Sequence, residues 1–170
     1  MGDRSKDVTT ASTATLPATA VRALDFDALY RDARDDVFAY TATLLRDSAA
    51  AEDVTAQAFE RAYKRRSRFD ARRGSPRAWL FGIARNAALD ELRRRKRAAT
   101  AEMPPPPQDP SPDEAAQLAA ERAADRELIA LKYHADLSNA EIAEVLGVNA
   151  NHAGTLLHRA MTKLREAVDA

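Results

Sequence analysis

Sixteen residues in the second half of the chain, AATAEMPPPPQDPSPD at positions 98–113, constrain its architecture more than any other stretch. Six of the chain's eight prolines fall there. Proline lacks the amide donor of a helix and pushes its predecessor towards extended backbone, so no helix passes through such a run. The segment predicts a semi-extended linker reaching at most about 50 Å, at roughly 3.1 Å per residue. The 170-residue chain is thereby divided into two small units, residues 24–97 and 114–170. Residues 1–23 lack an uninterrupted apolar core, so they are expected to be a disordered leader and not a secretory signal.

Both units are expected to be helical. Alanine and arginine abound, the chain holds only five glycines, and β-branched residues rarely cluster. The fold class that follows is all-α: a three-to-four-helix unit, the proline-rich linker, and a second helical unit. No stretch approaches the roughly 18 apolar residues of a membrane span, so no membrane insertion is expected and a cytoplasmic location is the default.

Net charge is zero, but the charges are not spread evenly. Residues 61–97 carry fourteen Lys and Arg against three acids, a surplus of eleven positive charges. Residues 24–60 carry nine acids against three basic side chains. A concentrated basic block is the electrostatic footprint of polyanion binding, and the acidic block beside it points to a second, different partner.

In the first unit Phe26, Leu29 and Tyr30 open a helix that Val37, Phe38, Leu44 and Leu45 continue. A second helix is predicted from Ala49 to about Arg66, with Val54, Ala58, Phe59 and Ala62 inward. RFDARRGS then reads as a polar loop, after which Ser75 caps a third helix with Pro76 in its first turn, where a missing amide costs nothing. That helix puts Leu80, Ile83, Ala84 and Ala87 on one face. Trp79 fits a core position or a stacking one.

The second unit opens with a helix over 114–134 and continues as a helix-turn-helix. Ser138 and Glu141 have capping-box spacing, Gly147 permits a tight turn, and Asn149 caps the next helix. Ala153, Leu157, Ala160 and Leu164 recur as one stripe predicted to be buried, which leaves Asn151, His152, Thr155 and Arg159 outward.

Catalysis has little to stand on. Without cysteine there is no disulfide, thiolate metal site or cysteine nucleophile. Of the three histidines, His152 and His158 lie on different helix faces and make a poor metal pair, and no nucleophile–base constellation is present. The chain is expected to be no enzyme, with no cofactor and no metal.

At this point the residues resemble a known family. AAEDVTAQAFERAYKRRSRFDARRGSPRAWLFGIARNAALDELRRRKR is similar to the second domain of extracytoplasmic-function (ECF, group 4) RNA polymerase sigma factors. LSNAEIAEVLGVNANHAGTLLHRAMTKLREA is similar to their fourth domain. The resemblance implies a protein that binds core RNA polymerase, directs it to promoters and helps melt them. It implies that Glu52, Asp53, Gln57 and Phe59 meet the polymerase β′ clamp, although this chain has Ala56-Gln57 where the family has Gln-Glu. It implies that the basic loop and helix capture single-stranded DNA at the −10 element, with Arg68, Phe69, Arg72, Arg73, Arg77, Arg85, Asn86 and Arg93 as the candidate contacts. The helix after Asn149 is then the reader of duplex −35 DNA, through Asn151, His152, Thr155, Leu156, His158 and Arg159. Relatives commonly carry basic residues where this chain has Gly154-Thr155-Leu156. Leu156 is expected to be exposed, meeting a thymine methyl or a partner protein. Family members are often held inactive by an anti-sigma factor, which the resemblance adds as a candidate partner. The competing reading is a stand-alone helix-turn-helix regulator that binds closed duplex DNA without polymerase.

Overall fold

The computed structural model describes residues 24–102 and 112–169. Six α-helices account for most of them: α1 (Phe26–Leu45), α2 (Ser48–Arg65), α3 (Pro76–Glu102), α4 (Pro112–Tyr133), α5 (Asn139–Leu146) and α6 (Ala150–Asp169). A 3-10 turn (Arg66–Arg68) follows α2, and no strand occurs among the described residues. The all-α expectation is met.

Local chemistry sets the helix starts. Asp25 and Asp47 accept from Ala28 N at 2.9 Å and Ala50 N at 3.0 Å, capping α1 and α2. Ser75 accepts from Ala78 N at 3.1 Å to cap α3. Ser138 and Glu141 form the reciprocal capping box of α5, and Asn149 Oδ1 accepts from His152 N at 2.7 Å to cap α6. Two stops use left-handed backbone: Arg46 at φ 53° closes α1 and Gly147 at φ 71° closes α5.

The helix boundaries beside the linker differ from expectation. α3 continues five residues past 97, because AATAE is good helix-forming sequence and the prolines begin only at 104. α4 begins at Pro112, since proline is tolerated in a first helical turn. The expected extended backbone at 103–111 and the expected leader at 1–23 lie outside the described residues.

Packing of α1, α2 and α3 buries Val37, Tyr40, Phe59, Leu80 and Phe81, with the Tyr40 and Phe81 rings edge to face at 5.4 Å. Thr41 and Thr55 join α1 to α2 by a 3.0 Å hydroxyl contact in an otherwise apolar interface. In the second unit Leu128, Leu131, Leu137, Ile142, Ala153 and Leu157 are buried together. The two sets form one continuous core, because α4 packs against α1 and α5 packs against α3. Leu164 departs from its predicted stripe. It is 42% exposed, in an open hollow between α6 and the first half of α4 lined by Leu118, Glu121 and Ala167.

Candidate nucleic-acid interface and partner groove

Four surfaces gather the residues that the sequence singles out. The first is the loop between α2 and α3. Asp70 shapes it by accepting from Arg72 N at 3.0 Å and from the Arg72 guanidinium at 3.0 and 2.9 Å. The guanidinium's hydrogen bonds hold the Asp70 carboxyl down at about 2. Phe69 leans on Trp79 with ring centroids 5.5 Å apart. These rings, Arg68, Asp70, Arg73 and Gly74 line a cleft of about 200 Å3, and Glu144 of α5 completes it. Trp79 is half-buried with its ring in this wall, so it serves core and cleft together.

The second surface is the basic face of α3. Of the fourteen cations in residues 61–97, eight form ion pairs: Arg61, Lys64, Arg72, Arg77, Arg85, Arg93, Arg94 and Arg95. Glu91 takes two of them, and hydrogen bonds from Arg94 and then Arg95 lower its carboxyl to about 2. Arg65, Arg66, Arg68, Arg73, Lys96 and Arg97 make no ion pair among the described residues. The polyanion footprint is therefore narrower than the charge count suggests. Arg93 pairs with Asp90 at 3.2 Å but stays at the surface beside Lys96 and Arg97. Asn86 is exposed.

Arg77 and Arg85 lie elsewhere, under the second unit. Arg77 donates to Asp36 at 2.5 Å, to His134 O at 3.2 Å and to Ala135 O. Arg85 donates to Glu127 Oε1 at 2.7 Å, and the same oxygen accepts from Tyr40 Oη at 3.0 Å. Burial, and then the Glu127 carboxylate, raise the Tyr40 phenol well above its ordinary value.

Third, a groove of about 620 Å3 runs between α1 and α2, lined by Tyr30, Arg34, Asp35, Phe38, Glu52, Thr55, Ala56 and Phe59. Glu52 stands on its rim, and Phe59 is buried in its floor with Tyr30 edge-on at 4.8 Å. Asp53 and Gln57 are exposed but do not line it. They sit on a neighbouring strip of α2, at 100° per residue.

Fourth, the start of α6 presents Asn151, His152, Thr155, His158 and Arg159 to solvent. The Thr155 hydroxyl donates to Asn151 O at 3.0 Å, so it bonds its own helix. Leu156, expected to be exposed, is half-buried against the common core, because α6 turns that side towards its neighbours. Lys163 pairs with Asp125 at 2.8 Å and offers little to an outside anion.

Sequence reading missed Tyr30, Arg34, Asp35 and Phe38 in the groove and Asp36, Glu127, Glu141 and Glu144 at the junction of the units. The i, i+4, i+8 spacing of Tyr30, Arg34 and Phe38 is a legible stripe. Nothing local marks Glu127, whose partners lie 42 and 87 residues away.

The Sigma-70 region 2 family profile matches residues 29–98, and Sigma-70 region 4 matches residues 122–164. The ECF RNA polymerase sigma factor SigL of Mycobacterium tuberculosis is 31% identical over 164 residues, covering 87% of this chain and 91% of that protein. The ECF RNA polymerase sigma factor SigK of Mycobacterium sp. (strain KMS) is 29% identical over 159 residues, covering 84% and 82%. Among solved structures, the sigma factor RpoE, in co-crystal with the anti-sigma factor NepR from Bartonella quintana, superposes with a TM-score of 0.68. It is 21% identical, with 86% of this chain and 98% of that one covered. CnrH, in complex with the cytosolic domain of CnrY, gives a TM-score of 0.61 at 24% identity, covering 85% and 87%. These two structural likenesses bear on the fold.

Proposed function

The chain belongs to the ECF RNA polymerase sigma factors, and from that premise we propose how its surfaces divide the work. A factor of this family binds core RNA polymerase, directs it to promoters and promotes DNA melting. It regulates initiation as a DNA-binding factor. No helix among the described residues is long and apolar enough to cross a membrane, and we place the protein in the cytoplasm, where it meets the polymerase.

Residues 24–97 form the unit that binds polymerase and captures the −10 element, and residues 114–170 form the unit that reads the −35 element. The α1–α2 groove receives the polymerase clamp. Its apolar floor and the Asp35 and Glu52 carboxylates suit a helical surface that is part apolar and part basic. Glu52 and Phe59 act there directly, while Asp53 and Gln57 contact a flank. An anti-sigma protein is a further proposed partner.

The observation that carries the melting role is the cleft beside the α3 N-terminus. Phe69 and Trp79 supply an aromatic wall, Arg68 and Arg73 line it without an ion pair among the described residues, and about 200 Å3 is room for one extruded base. Unstacking a base costs a few kcal/mol, which stacking and phosphate contacts in such a cleft recover. Arg72 shapes the loop through Asp70, and Asn86 and Arg93 extend the track along α3. At the start of α6, Asn151, His152, Thr155, His158 and Arg159 face outward to meet duplex DNA.

The test is permanganate footprinting of holoenzyme on its promoters. A Phe69→Ala, Arg73→Ala variant should bind core polymerase normally and leave the promoter closed. Normal melting by that variant would remove the cleft from the mechanism. A stand-alone duplex-binding regulator is disfavoured by the same cleft, which has no use on closed DNA.

A further inference from the structure

We propose that Asn139, at the start of α5, reads a base of the upstream duplex from the flank of α6, at a place where α6 itself offers no side chain. This rests on the assignment of α6 to duplex −35 DNA.

The outward face of α6 centres on Asn151, Thr155 and His158, all exposed. Gly154 borders that face, about 40° round the helix from His158 at 100° per residue. Beyond it the helix turns inward to the buried Leu157. A glycine here leaves a notch at the edge of the surface that meets the groove. Another element fills the notch: a Cβ built on Gly154 would lie 3.6 Å from Asn139 Nδ2. The side chain of α5 thus stands where a side chain of α6 would.

Local chemistry holds Asn139 in that place. Ser138 Oγ accepts from Glu141 N at 3.3 Å, and Glu141 Oε2 accepts from Ser138 N at 2.9 Å. These reciprocal bonds fix the backbone on either side of Asn139. Its side chain is exposed, and its carboxamide makes no hydrogen bond among the described residues. Nearby polar groups are already engaged, since Thr155 donates to Asn151 O and Asn149 caps α6. Asn139 therefore keeps a donor and an acceptor free beside α6.

Charge then selects the ligand. A phosphate at this point would face the Glu141 carboxylate, which already occupies the α5 N-terminus. A neutral carboxamide suits a base edge instead. Adenine is the base whose major-groove N6 and N7 match its acceptor and donor together. The ligand is an adenine at the edge of the −35 element.

The test uses holoenzyme and a pool of promoter duplexes with both elements randomised, sequenced before and after retention. Native holoenzyme should select adenine at one upstream position, and Asn139→Ala should lower that preference by at least about fivefold while the others stay. Asn139→Asp has nearly the same shape, suits a first helical turn and can only accept. It should move the choice at that position from adenine towards cytosine. Should alanine loosen the turn and lower the melting temperature, the aspartate variant decides. Gly154 is helical and 3.6 Å is ordinary contact, so Gly154→Arg fits. Its guanidinium should take over the position and select guanine, after which Asn139→Ala should make no further difference.

Three results would overturn the proposal. An unchanged base profile for both Asn139 variants would show that the carboxamide reads nothing. Equal loss at every position would reduce Asn139 to a phosphate contact or a support for α6. Independent effects of Asn139→Ala and Gly154→Arg would place the two side chains at different sites. Failure of the −35 assignment itself looks different: native holoenzyme would show no upstream base preference at all, and Arg159→Ala would change nothing there.

Discussion

Replacing Glu127 with alanine removes the one acceptor shared by Tyr40 and Arg85, and it should destabilise the protein well beyond an ordinary surface change. Tyr40 is fully buried, and the side chains of Arg85 and Glu127 are 23% and 14% exposed. Removing one partner of a fully buried ion pair costs about 3–5 kcal/mol. Arg85 retains some access to water, which brings the expected loss to about 2–3 kcal/mol; a phenol hydroxyl left without an acceptor contributes about 1 kcal/mol of that. For a chain of this size the melting temperature should fall by roughly 4–12 °C. Urea unfolding followed by circular dichroism measures the loss. The physical claim is that the groups are coupled, so the decisive assay is a double-mutant cycle with Arg85→Met and Glu127→Met. Two apolar side chains at the junction leave no charge stranded, and the double variant should be more stable than the summed single losses by about 1–3 kcal/mol. Additivity within about 0.5 kcal/mol would refute the reasoning, because independent groups cannot share an oxygen.

Leu131→Ala, at a fully buried position where both units share their core, should cost about 2–5 kcal/mol in the same assay. Reversing Asp35 and Glu52 to lysine should weaken core polymerase binding in a direct titration with helicity unchanged, and reversing Asp53 alone should do less. The Glu91 carboxyl, held at about 2 by Arg94 and Arg95, should titrate roughly two units below a free glutamate when followed by carbon NMR. Its folded value is the lower one, so its support of the α3 end is complete above about pH 4 and is lost as pH falls through about 2. Arg159→Ala in holoenzyme should weaken upstream duplex contact and reduce the salt slope of promoter binding by about one.

Helix starts were legible because each depends on residues within four positions of itself. Ser75 before Pro76, the Ser138–Glu141 box and Asn149 before α6 all cap where their spacing predicts. The same locality carried α3 on to Glu102 through an alanine-rich stretch that composition alone had joined to the linker. Inward positions such as Val54, Leu80, Ile83 and Leu157 follow from period alone. Period did not decide Leu156 or Leu164, since how deeply each is covered depends on how closely α4 and α5 pack against α6. Charge was legible only as a count. Which cations remain available to DNA depends on acids that the fold brings to them: Asp36 to Arg77 across 41 residues, Glu127 to Arg85 across 42, Glu141 to Ser75 across 66. The sequence by itself determined the helices, their caps and the family. Tertiary structure alone decided that the two units share one core and that α5 lies against the α2–α3 loop. Helices form through bonds between near neighbours in the chain, whereas the docking of one unit on another is a balance of contacts that no local pattern records.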